Sequence, residues 1–116
     1  MTDTELTVVE SAEAGATVAL TTPNISPNTH YFDNDGHTVL FVMNAGGSSD
    51  NVIFTGVGAC AFGVVHDRTV AVGAGVNKII GPFNTAHFNN ATGHVSLTHS
   101  FVTSVTQVAL RVPKVQ

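Results

Sequence analysis

The side chains able to do chemistry are few: six histidines, eight acidic residues and one cysteine in 116 residues. A transition-metal centre needs ligands that converge, and the histidine spacing does not supply them. His94 and His99 are an odd number of residues apart, so on one strand they point to opposite faces. His30 and His37 flank a turn, while His66 and His87 fall in separate loops. His99 shares an apolar face with Val95, Leu97 and Phe101 and is expected to be a core or interface histidine with its hydrogen bonds satisfied. No metal and no cofactor are expected.

Asp33-Asn34-Asp35-Gly36 has the look of a calcium loop, but the position for its bidentate Glu is Asn44. The four residues read as a turn, where Asn, Asp and Gly tolerate left-handed backbone. His66-Asp67 are neighbours in sequence, which is not triad geometry, and no Ser sits in a Gly-flanked elbow. Cys60, between Ala59 and Ala61, reads as a small buried hydrophobe without a base beside it. A carboxylate pair for glycoside cleavage would have to come from Asp33, Asp35, Asp50 or Asp67, all at predicted turns. The glycines at 56–58 and 73–75 lack the strand-to-helix setting of a phosphate loop. No catalytic residue is assigned, and the chain is not expected to be an enzyme.

Composition narrows the class further. Hydrophobic residues make up 43% and charged residues only 10%, against about 25% charged in an average domain. A surface so poor in charge suits a protein partly covered by neighbours better than a concentrated free monomer. The net charge is −4, and the four basic residues, Arg68, Lys78, Arg111 and Lys114, form no cluster. Nucleic acid is therefore not an expected partner. Nor is a membrane, because the apolar runs are too short to span one. The polar, acidic opening residues read as lacking a secretory signal. With one cysteine no intrachain disulfide can form.

The elements that must position these residues are strands. Residues 1–14 carry Asp3, Glu5, Glu10 and Glu13 and no base; they read as an acidic N-terminal arm with at most one short strand, Leu6 to Val9. Residues 15–116 read as a single β-sandwich domain. There, runs of Val, Thr, Ile and Phe alternate with Gly, Asn, Asp and Pro, and no window has a helical period. Strands are predicted at 16–22, 37–44, 51–57, 68–73, 77–81, 94–102 and 104–112, with 23–36 as a long loop. The last two strands are expected to form a hairpin turning near Thr103, and 46–50 to be a hairpin loop. The fold class is all-β, an antiparallel β-sandwich or jelly-roll-like barrel of about seven or eight short strands.

One predicted strand is unusual. Thr38-Val39-Leu40-Phe41-Val42-Met43 is apolar on both faces, so one face can enter the core and the other needs a cover. A neighbouring subunit, the N-terminal arm or the loop 23–36 would each serve. Leu6 and Val8 of the arm, with Leu40 and Val42 of this strand, are the candidate residues for a subunit or capsid interface.

Several of these motifs carry a resemblance. Asn34-Asp35-Gly36 with Thr38, Asp67-Arg68-Thr69-Val70, Ala74-Gly75, Ile80-Gly81-Pro82-Phe83, Gly93 with Val95 and Thr98, and Val105-Thr106 through Val108-Ala109-Leu110-Arg111-Val112 occur here in that order. Over roughly residues 32–112 the chain resembles the small head decoration, or cement, proteins of tailed bacteriophages. His99 stands where that pattern has an aromatic residue. The resemblance implies a structural virion protein, made in the host cytoplasm and bound to the outer capsid surface. Its partners would be the major capsid protein and itself, as a homotrimer, and the acidic arm would reach a neighbouring subunit by adding a strand to an exposed edge. A carbohydrate-binding or adhesion module of a tail or fibre, or a head–tail connector component, is the alternative. The lack of Trp and the single Tyr31 weaken the carbohydrate reading, which needs exposed aromatics.

Overall fold

The computed structural model describes residues 3–12, 14–18, 20–58 and 67–111. Where Val, Ile, Leu and Phe alternate with polar residues, the chain forms strands that bury one face. Residues 38–44 and 94–99 do so without a break. The strands are β1 (Asp3–Glu5), β2 (Val8–Glu10), β3 (Thr29–Asp33), β4 (Thr38–Asn44), β5 (Asp50–Phe54), β6 (Arg68–Val72), β7 (Asn77–Ile80), β8 (His94–His99) and β9 (Val105–Arg111). A one-turn helix, α1 (Thr85–Phe88), precedes β8. Its N-cap is Asn84, whose Oδ1 accepts from the Ala86 N–H at 2.8 Å.

These strands form a two-sheet sandwich and not a closed barrel. One sheet has the order β1-β3-β8-β5-β6 and the other β2-β9-β4-β7. Between them lies a core of Phe32, Phe54, Leu40, Val42, Leu97 and further Val, Ile and Phe side chains. Phe83 sits among Phe32, Phe54 and Phe88, with ring centroids 5.7, 4.7 and 5.6 Å away. Each large apolar side chain removed from water in this way contributes about 1.5–3 kcal/mol.

The connections differ from the hairpins expected from the turn residues. Among consecutive strands only β5 and β6 are sheet neighbours; the others alternate between the two sheets. The link 45–49 therefore arches from β4 to β5 across the sandwich, and 100–104 arches from β8 to β9. Turn residues mark where a chain reverses, not which sheet the next strand joins. The two arches pack together: a Cβ at Gly46 would collide with the Thr103 carbonyl and lie 2.6 Å from the Phe101 ring. Asn44, 1% exposed, fixes the first arch. Its Nδ2 donates to the carbonyls of Ser48 and Val72 at 2.8 and 2.9 Å, and its Oδ1 accepts from the Gly46 N–H at 2.9 Å.

The N-terminal residues also depart from expectation. Instead of one strand over Leu6–Val9 there are two, and both pairings are parallel in a fold expected to be antiparallel throughout. β1 runs beside β3 with Asp3 opposite Thr29 and Glu5 opposite Tyr31. β2 runs beside β9 with Val8 opposite Ala109 and Glu10 opposite Arg111. The chain changes sheets at Leu6, whose N–H donates to the Tyr31 carbonyl at 2.7 Å and whose side chain joins the core.

Two further expectations change. Residues 16–22, read as a strand, contribute only an isolated bridge between Thr21 and Gln107 among the described residues. The loop 23–36 contains β3, whose inward positions are His30 and Phe32. A histidine at a core position hides the two-residue period from a reading based on polarity.

Candidate interaction surface

The four residues chosen from sequence as interface candidates face the wrong way for that role. Leu40 and Val42 are fully buried in the core, Leu6 is 7% exposed, and Val8 is half-buried against the same cluster. The alternation in 38–43 was legible, but a two-residue period does not say which of its faces turns inward. The opposite set, Val39, Phe41 and Met43, lies on the outer face and is half-buried.

That outer face is apolar across four strands, with Val108 already buried at 4% exposure. Val9, Leu110 and Val39 lie side by side on β2, β9 and β4; Val108, Phe41 and Ile79 form the next row on β9, β4 and β7. Val39, Phe41, Met43 and Leu110 are half-buried, and Ile79 is 69% exposed. Ser11, Ala12, Gly15, Ala16 and Val18 border one end of the face. The Ser11 N–H donates to the Arg111 carbonyl at 2.9 Å, and a groove of about 570 Å³ runs between Ala12, Ala16 and Val18 on one side and Val39, Ile79 and Leu110 on the other. At the sheet margin β7 pairs only with β4, so its outer backbone groups have no strand partner among the described residues. Lys78 sits on this edge, a charge of the kind that discourages indiscriminate strand pairing.

Beneath the opposite sheet lies a buried polar seam. His99 has both ring nitrogens bonded, as expected of a core histidine: Nδ1 to Asp50 Oδ2 at 2.5 Å and Nε2 to Gln107 Oε1 at 2.6 Å. All three side chains are fully buried. Asp50 Oδ1 also accepts from the N–H groups of Ser100 and Phe101 at 3.0 and 3.3 Å. The seam thus joins β5 and β8 of one sheet to β9 of the other. His30, 2% exposed, meets the His99 ring edge-on at 5.9 Å. Its pKa is lowered, first by burial and then by the His99 charge, with the Asn24 backbone and Asp3 pulling partly the other way.

The remaining candidates among the described residues are dispersed, apart from Asp33 and His94, whose Oδ1 and Nε2 are 2.8 Å apart. His94 and His99 lie on opposite faces of β8, half-buried and buried. His37 is exposed, and His87 Nδ1 bonds the Gly58 carbonyl at 2.5 Å. In the Asp-Asn-Asp-Gly segment, Asn34 Oδ1 and Asp35 Oδ1 accept from the N–H groups of Gly36 and His37 at 3.0 and 2.9 Å, and Gly36 has φ +90°, the turn expected. The His37 N–H is the leading cause of a lowered Asp35 pKa. Asp67 Oδ1 accepts from the Gly56 N–H at 2.9 Å. Cys60 and His66 lie outside the described residues. Asp50 is the one acid of the four read as a turn residue that is fully buried, and sequence gave no sign of its pairing with His99.

Comparison of the chain with known protein families, with curated proteins and with solved structures returns no match.

Proposed function

We propose that the chain is a structural virion protein, a decoration or cement protein that binds the outer surface of a tailed-phage head and stabilises it. The observation that carries this reading is the apolar outer face of the four-stranded sheet, from Val9 through Leu110 and Phe41 to Ile79. Removing such a face from water is favourable roughly in proportion to its area. A surface with few charges binds by shape and area more than by ion pairs.

The partners are the major capsid protein and further copies of the chain, arranged as a homotrimer. In such an assembly each subunit adds modest contacts, and their simultaneous engagement gives avidity beyond any single contact. The N-terminal residues take a different part from the one the resemblance implies. Residues 3–5 and 8–10 are already paired inside their own domain, so they are not spare for strand addition elsewhere. The open edge of β7 beside the apolar face is the better place for a neighbour to pair.

The test is to add the purified chain to heads that lack it. Saturable binding to the outer surface with increased resistance to heat supports the proposal. A chain that stays free, or binds without changing the stability of the head, contradicts it.

A further inference from the structure

On the outer face of the other sheet, three neighbouring strands bring together a group the sequence spacing does not reveal. Glu5 ends β1, Asp33 ends β3 and His94 begins β8. Asp33 and His94 are directly opposite in the antiparallel pair, and Glu5 is opposite Tyr31, two residues before Asp33 on the same face. The potential ligand atoms of Glu5, Asp33 and His94 all lie within 4.8 Å of one another. His94 Nε2 is 2.8 Å from Asp33 Oδ1.

The proton positions around His94 can be worked out from its neighbours. Asn90 Oδ1 accepts from the backbone N–H groups of Thr92 and His94 at 2.9 and 3.1 Å. That fixes which end of the Asn90 amide is the oxygen. The Thr92 hydroxyl, 2.7 Å from the same oxygen, must donate its only proton there. Its lone pairs are left for His94 Nδ1 at 2.9 Å, so Nδ1 carries the N–H. In the neutral ring Nε2 is then a bare lone pair aimed at a carboxylate oxygen. Two lone pairs at that distance require a positive centre between or beside them, a proton or a metal ion. Holding the far nitrogen of a histidine by a hydrogen bond is how proteins present the near one to a metal.

We propose that Glu5, Asp33 and His94 form a binding site for a divalent first-row cation such as Zn²⁺, with the remaining coordination positions open to water. Tetrahedral metal–ligand distances of about 2.0–2.2 Å place adjacent ligand atoms about 3.3–3.6 Å apart, so a cation would spread the Nε2–Oδ1 pair from its present 2.8 Å. Glu5, exposed on an edge strand, offers its carboxylate within the same 4.8 Å. One imidazole and two carboxylates suit Zn²⁺ or Mn²⁺ better than soft copper(I). Arg111 lines the same groove as Glu5 and Asp33 and is engaged by Glu10 at 3.0 Å and by Asp35 at 3.4 Å, and the Tyr31 ring lies against His94 at 4.8 Å as a wall. A bound cation would tie β1 to β3 and β8 and so hold the first strand in its sheet. This site stands apart from the capsid reading and survives its failure.

The test is calorimetric titration of the full chain with ZnCl2 at about pH 7.5. It is paired with thermal unfolding with and without the metal. One saturable site is expected, with a higher melting temperature in zinc. His94→Gln and Asp33→Asn should each weaken binding by at least about tenfold, and Thr92→Val, which removes only the hydroxyl holding Nδ1, by about tenfold. All three positions are solvent-facing, and melting without zinc reports whether each variant folds; Thr92→Val leaves every proposed ligand in place. Absence of saturable binding overturns the proposal. So does binding that stays within twofold of the wild type in both His94→Gln and Asp33→Asn, because the zinc would then be held by other histidines.

Discussion

Replacing Asp50 by alanine removes the carboxylate at the centre of the buried seam. Two donors lose their acceptor, His99 Nδ1 and the Phe101 N–H, and the Ser100 N–H keeps only its longer bond to the Asn51 carbonyl at 3.3 Å. His99 cannot turn to water, since it and the site left by Asp50 are fully buried. Breaking a buried pair by deleting one partner costs about 3–5 kcal/mol, out of about 5–15 kcal/mol for a whole domain. At about 4 °C per kcal/mol for a chain of this size, the melting temperature falls by about 12–20 °C. Asp50→Asn separates this mechanism from a simple loss of packing. The Asn oxygen still accepts from Ser100 and Phe101, and its NH2 can donate to Nδ1 of a His99 ring that carries its proton on Nε2. Gln107 Oε1 keeps its bond, so Asn should cost about 1 kcal/mol or less. Urea unfolding of wild type, Asp50→Ala and Asp50→Asn measures both differences. An alanine variant within about 1 kcal/mol of wild type would refute the reasoning, as would Asn costing as much as Ala.

Other expectations follow from single positions. Gly46→Ala drives a methyl group into the Thr103 carbonyl and the Phe101 ring, and should cost about 1–3 kcal/mol in urea unfolding, the usual penalty of overpacking. His30 has a folded-state pKa below its unfolded value of about 6.5, so the unfolded chain binds more protons and acid favours unfolding. Stability should therefore fall as the pH drops through and below about 6.5. His30→Gln should flatten that slope when urea midpoints are compared between neutral and acidic buffers. Ile79→Lys, at a site 69% exposed, should leave stability within about 0.5 kcal/mol while abolishing attachment to heads.

How much of this was legible in the sequence depends on what each residue competes with. β8 was readable because its apolar residues alternate cleanly with Ser96 and Thr98, and β9 was readable as a strand, but with its faces exchanged: Gln107 and Ala109 point into the core and Leu110 lies outside. β3 was not, because its inward His30 counts as polar and Pro27 precedes the strand. The N-terminal strands are three residues each and owe their existence to parallel partners far along the chain, which local propensity does not report. Glycine- and serine-rich arches look like hairpin turns, because the choice of sheet is made by the core and not by the turn. The seam was half visible. His99 could be placed in the core from its face, but Asp50, 49 residues earlier, sits in a turn-like context that disguised a buried acid. On β4 the two apolar faces were plain, yet their inside and outside were exchanged, since Leu40 and Val42 differ from Val39 and Phe41 only in what the rest of the fold packs against them.

The proposed virion role stands or falls on whether the apolar face of the four-stranded sheet docks on a capsid. The direct measurement is a binding isotherm on purified heads lacking the protein, with wild type and Ile79→Lys side by side. Wild type should saturate the outer surface and raise the temperature at which heads rupture, while the folded lysine variant should remain unbound. Equal binding by both chains, or binding by neither, would contradict it.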